Sequence, residues 1–142
     1  MKNYFIYVLL ILLLLSCNKE ETGSIVETYK ITSLSQSNCP NSTENFDLNF
    51  GNDNCTTAAG IEFCESGTFN FSADGNFTST IRMTVPALGE IVDLNGRGTY
   101  LANGNIATIC FPECTDFTLN GNSLMLTQIL DGCTQNIVFS KI

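Results

Sequence analysis

Histidine is absent from this chain, and so is tryptophan. Without an imidazole there is no Ser-His-Asp triad, no Cys-His dyad and no histidine-bearing metal site. Cations are scarce. Lys and Arg together number 6 against 14 Asp and Glu, which gives a net charge of −8. Beyond Lys2 they are Lys19, Lys30, Arg82, Arg97 and Lys141, too scattered to form a patch. So acidic a surface cannot neutralise phosphates, which excludes nucleic acid as a partner, and it disfavours electrostatic docking on anionic lipid. Glycines stand singly in turn-like contexts, so no phosphate-cradling loop is present. Long helix-forming stretches are lacking as well, and no cofactor is implied.

What is present begins at the N-terminus. A basic start at Lys2 precedes an apolar run from Tyr4 to Leu15. The run is about a dozen residues, whereas a helix needs ~20 to span a bilayer, so the pattern reads as a signal segment and not as a membrane span. It ends in Leu14-Leu15-Ser16-Cys17. This resembles the bacterial lipoprotein box. The resemblance implies cleavage before Cys17, thioether-linked diacylglycerol on its sulfur and an acylated amine (a palmitate-type chain). Each buried methylene contributes ~0.8 kcal/mol and a single chain holds only reversibly, so several chains make a stable anchor. Asn18-Lys19-Glu20-Glu21 then resembles the export tag of surface lipoproteins in Bacteroidota, and reads equally as a solvated tether. The expected organisation is a signal peptide over 1–16, a lipidated tether over 17–24 and one domain over 25–142. The implied address is the outer membrane, at its surface if the tag operates.

Of 7 cysteines, Cys17 goes to lipid. Cys39, Cys55, Cys64, Cys110, Cys114 and Cys133 remain, an even number in an exported chain, and three disulfides are the default. Sequence does not choose among the pairings. Cys110-Phe-Pro-Glu-Cys114 has the spacing of half a zinc knuckle, but no second pair completes it.

The domain reads as all-β. Period-two alternation recurs between turn residues, clearest over 77–85, where Phe77, Ile81, Met83 and Val85 share one face with Ser79. Gly67–Phe71 alternates in the same way. Turns are expected at 72–75, 103–105, 120–122 and 131–132, where Asn-Gly and Asp-Gly tolerate positive φ. Between them lie strands over 97–102, 106–110, 117–119, 124–130 and 135–142. Ile25–Leu34 and Phe46–Phe50 add two more, while 35–44 and 51–60 read as loops pinned by disulfides. The result is an antiparallel meander of about eight strands that closes into a small barrel or, alternatively, folds over as a sandwich.

Gly67-Thr-Phe-Asn-Phe-Ser-Ala-Asp-Gly-Asn-Phe77, Gly98-Thr-Tyr100, Phe117–Leu126 and a closing strand Asn136–Ile142 together resemble the lipocalin-like domain of Bacteroidota lipoproteins over roughly 62–142. The resemblance implies an up-and-down barrel and says little about a ligand. It departs from that pattern at Tyr100, which stands where a tryptophan is common.

Candidate chemistry is thin. The carboxylate pairs Glu62 with Glu65 and Glu90 with Asp93 have the residue types for glycoside hydrolysis, but acids near turns are usually just solvated. The stretch Asp47–Asn54 offers oxygen ligands at alternate positions, yet Asn52 and Ala58 stand where a calcium loop needs Gly and Glu. No catalytic residue and no metal ligand is assigned, and a non-enzymatic protein is expected. If the barrel closes, Phe69, Phe71, Phe77, Ile81, Met83, Tyr100 and Leu126 are expected to line its interior. About eight strands leave a filled core or room for one small ligand. Two partners then compete: a small apolar molecule in the barrel, or an envelope protein docked on the loops 35–60 and 86–96 of a filled domain.

Overall fold

The computed structural model describes residues 25–51 and 53–142; the leader and the whole 17–24 tether, Cys17 included, lie outside them. Eleven strands form one antiparallel sheet. They are β1 (Thr28–Ser37), β2 (Phe46–Asn49), β3 (Cys55–Ala58), β4 (Ile61–Ser66), β5 (Phe69–Phe71), β6 (Asn76–Val85), β7 (Glu90–Asn103), β8 (Ile106–Cys110), β9 (Cys114–Asn120), β10 (Ser123–Leu130) and β11 (Cys133–Lys141), with a short 3₁₀ turn at Ser42–Glu44. Strands β5 to β11 follow one another as a meander, and β1 pairs with both β11 and β5. That contact closes an eight-stranded barrel and rules out the open sandwich.

Two bends let β1 and β6 serve more than the barrel. The β1–β11 register slips between Ile31 and Ser33, a bulge at Thr32. Bulges bend the strand that carries them, so the start of β1 pairs with β5 and its end with β2. Thr32 O accepts from Phe50 N at 2.9 Å, which seats the chain leaving β2 against the bend. On the other side, Ser66 faces Arg82 and Phe69 faces Ser79. The register therefore carries through Gly67 and Thr68 without an insertion, and β4 with β5 is one strand creased at Gly67. Below the crease β3 and β4 form a hairpin outside the barrel, and Leu48 and Phe50 (each 2% exposed), at and just after the end of the β2 strand that pairs with β1, are buried in the core.

The interior is packed. Ile81, Ala107 and Leu124 are fully buried, and Ile31, Phe71, Phe77, Phe117 and Phe139 nearly so. Phe69 sits amid the aromatic group, 5.5 Å from Phe77, 5.8 Å from Phe71 and edge-on to Phe139 at 5.1 Å. Such ring pairs add ~0.5–1.5 kcal/mol each beyond the area they bury.

Phe46–Asn49 form β2 as expected, but the segments read as loops also carry strand. Residues 35–37 extend β1 and 55–58 are β3, while 90–96, most of the expected 86–96 loop, are the first half of β7, paired along β6 from Glu90. The β3–β4 hairpin lacked its usual signal because Ala59 stands at φ 52° next to Gly60 at 79°, a conformation normally given to Asn or Gly. The turns at Gly104 and Gly121 place φ of 59° on the glycine and begin there, one residue later than the Asn-Gly reading, whereas Asp131-Gly132 has both φ positive as that reading requires.

Candidate functional site

In an up-and-down barrel alternate turns lie at opposite ends. The turns at 72–75, 104–105 and 121–122 share one end with the start of β1. That end is closed: Tyr100 packs edge-on to Phe71 at 5.1 Å and its hydroxyl donates to Ser72 O at 2.7 Å. The other end carries the β6–β7 turn at 86–89 and the β8–β9 turn at 111–113.

A cleft of about 280 Å³ opens at this second end. Phe69, Phe77, Ile109, Phe117 and Leu126 form its apolar floor, Phe111 and Leu94 its flanks, and Ser79, Asp93, Asn95, Glu113 and Thr115 its polar rim. Local structure explains the opening. Strand β7 is longer than β8, and its partner on the β8 side begins only at Thr99 opposite Cys110. The first half of β7 therefore lacks a β8-side ladder partner among the described residues. Asp93, Leu94 and Asn95 are consecutive, yet all three line the cleft. Successive side chains of a strand point to opposite faces, so the cleft meets β7 along its edge.

Phe111 is held in place at this wall by its turn. The disulfide Cys110–Cys114 staples the β8–β9 hairpin across facing positions. Phe111 N donates to Glu113 O at 2.9 Å inside the stapled turn. The ring, 49% exposed, stands edge-on to Phe77 at 6.4 Å. It lies over bare backbone, because a Cβ on Gly96 would meet its Cζ at 2.2 Å. Glycine at 96 is what admits an aromatic lid there.

Of the residues expected to line a cavity, Phe69, Phe77 and Leu126 do so. Phe71 and Tyr100 belong to the closed end, Ile81 is sealed in the core, and Met83 faces Glu65 across the β4–β6 ladder. The reason is the crease at Gly67 and the overhang of β7, which move the opening to one end. Leu94, Phe111, Glu113 and Thr115 were not anticipated. Their only signal is an aromatic residue between two cysteines four apart, a stapled turn with an apolar tip.

The six remaining cysteines pair as Cys39–Cys133, Cys55–Cys64 and Cys110–Cys114. Among the described residues, the clusters with metal-ligand geometry are Cys39, Glu44, Cys133 and Cys55, Glu62, Cys64. Each contains a disulfide pair, whose sulfurs are no longer thiolates, so neither is read as a metal site. The carboxylate pairs do not converge either. Glu62 and Glu65, three apart on β4, take opposite faces, one exposed and one buried. Glu90 and Asp93 are likewise split on β7, and Asp93 is held by Arg82 at 2.7 Å. Asp47 stands on β2 opposite Ser35, and among the described residues it belongs to no cluster with metal-ligand geometry; Asn52 of the 47–54 stretch lies outside them.

Glu65 is the exception to ordinary burial. It is 3% exposed, and its Oε2 has no hydrogen-bond partner. Burial raises its carboxyl pKa, while Lys30 pulls it the other way. A carboxyl raised in the folded state favours folding while protonated, and that contribution is lost as pH rises from the ordinary glutamate value through the folded one. Glu65→Gln is therefore expected to match the parent in urea unfolding below about pH 4 and to become progressively more stable than it toward neutrality. Equal midpoints across the range would show that Glu65 is not a source of strain.

No protein-family model matches the chain, and no similar curated protein or solved structure was found.

Proposed function

We propose that this chain is a lipid-anchored envelope protein, not an enzyme, that holds a small apolar ligand at the open end of its barrel. The observation that carries the reading is the cleft itself: about 280 Å³ over an apolar floor, bounded by the Phe111 ring, beside a core of buried apolar side chains. Ligand clefts of drug-sized molecules run to roughly 300–1,000 Å³, so the occupant is small. The lipoprotein-box resemblance at Cys17 supplies the anchor, and the export-tag resemblance supports the outer membrane's surface. Strand β1 begins at the closed end, so a tether leading to Cys17 would join the domain at the end opposite the cleft. The lipocalin-like pattern over 62–142 agrees with a binding module.

An apolar dye that brightens on leaving water tests the cleft. Saturable binding to the full chain with intact disulfides is expected. Thr115→Trp, which plugs the mouth from an exposed inward-facing rim position on β9, should abolish it at unchanged circular dichroism. Binding that survives the plug would place the dye elsewhere. The anchor is tested by intact mass: a chain beginning at Cys17 with acyl additions is expected, and an unmodified thiol there would remove it.

A second reading rests on the β6–β7 hairpin, whose Leu88, Ile91 and Val92 are 60%, 57% and 55% exposed. An envelope protein docked on this apolar projection would make the barrel a display scaffold. Leu88→Ser with Ile91→Ser would then abolish partner capture while leaving dye binding untouched.

A further inference from the structure

The rim of the cleft selects a charge. Its lining contains no lysine and no arginine. The nearby cation, Arg82, is committed to Asp93 through two bonds, Nε to Oδ1 at 2.7 Å and Nη2 to Oδ2 at 3.3 Å. Glu113 has no ion pair among the described residues, and the hydroxyl of Ser79 spends its proton on Leu94 O. An anionic headgroup entering here would lose water without meeting a counterion, which is costly. A cation meets the opposite situation.

The walls agree with the rim. Four phenylalanine rings, Phe69, Phe77, Phe111 and Phe117, converge on one opening. Phe77 stands 5.5 Å from Phe69 and 6.4 Å from Phe111 by ring centroids. Clustered ring faces are the usual receptor for amines and quaternary ammonium groups, since the quadrupole of each ring attracts positive charge that has shed its water. The stapled turn holds Phe111 and Glu113 two residues apart, one offering a ring and the other a carboxylate to the same mouth. The net charge of −8 adds a long-range field of the same sign.

We infer that the ligand is a small apolar cation, an amine or quaternary ammonium with a hydrocarbon body, whose charge sits between Phe111 and Glu113 while its tail lies on the Phe69–Phe77–Leu126 floor. This rests on the apolar-ligand reading above and narrows its substrate class.

Calorimetric titration of the full chain with three probes sharing one octyl tail tests it: octyltrimethylammonium, octanol and octanoate. The ammonium is expected to bind about tenfold tighter than octanol, with octanoate weakest. Glu113→Gln should cut the ammonium-to-octanol ratio several-fold and leave octanol unchanged. Phe111→Leu, at a half-exposed position and with unchanged circular dichroism as the control, should weaken the ammonium more than octanol. If octanol binds saturably and as well as the ammonium, or if Glu113→Gln leaves the ratio unaltered, the cation inference fails and the apolar reading stands. If none of the three binds saturably, both fall.

Discussion

Gly67→Ala is expected to remove ~4 kcal/mol or more of folding stability, enough to unfold much of a domain whose total is typically ~5–15 kcal/mol. Two costs combine at this position. Its φ is 90°, a conformation that side chains rarely adopt, and a Cβ built there would stand 2.0 Å from Thr80 O and 3.1 Å from Ile81 Cα. Both obstacles are backbone and cannot swing aside. Relief requires β5 to part from β6, which would break the Thr80 N to Thr68 O bond of 3.0 Å and open the barrel where β1 closes it. Two other glycines separate the causes. Gly60 (φ 79°) and Gly89 (φ 67°) also have positive φ, but nothing stands within 4 Å of a Cβ there. Gly60→Ala and Gly89→Ala should therefore cost only the conformational part, ~1–2 kcal/mol. Urea midpoints of the three variants check this. A Gly67→Ala midpoint no lower than the other two would mean that the crease is not held by close approach.

Loss of the Cys39–Cys133 bridge is the second large effect. It closes a sequence separation of 94, against 9 for Cys55–Cys64 and 4 for Cys110–Cys114. Chain entropy removed from the unfolded state grows with the logarithm of loop length, so the long bridge is worth about 4–5 kcal/mol and the shortest about 2. The long one also has a local task. Cys133 is 2% exposed, and Pro40 Cγ would stand 3.1 Å from a Cβ on Gly132, so the bridge lays the 38–41 segment across the β10–β11 turn. Replacing Cys39 and Cys133 together by serine is expected to lower the melting temperature on the order of 15 °C. Replacing Cys110 and Cys114 together should lower it by less than half as much, yet weaken ligand binding more, because that short bridge positions Phe111. Equal melting shifts for the two pairs would contradict the entropic account. A reversed binding order would contradict the assignment of the stapled turn to the cleft.

Particular residues show why some of this was readable in advance. Phe77, Ile81 and Met83 alternate with Thr78, Thr80 and Arg82, and β6 carries that pattern inward and outward as expected. Asp131-Gly132 announced its hairpin because an aspartate followed by glycine suits two positive φ angles. Ala59 announced nothing, and the β3–β4 hairpin was missed with it. The first half of β7 was missed for a different reason. Exposed along its whole length from Glu90 to Asn95, it has no buried face to impose an alternating pattern, and a strand without one leaves little trace in composition. The lining set failed in the same physical way. Phe71 and Phe77 are both inward phenylalanines, but one plugs the closed end and the other floors the open one.

Local chemistry along the chain was enough to establish the strand class, the meander and the acidic, imidazole-free surface. These depend on neighbours within a few residues, where side-chain period and turn geometry act. Which cysteines join, where the barrel opens and which phenylalanines meet there were settled by contacts between residues far apart. A crease at one glycine, a bulge at Thr32 and two strands of unequal length decide them, and no short window of sequence registers how far one strand outruns its neighbour.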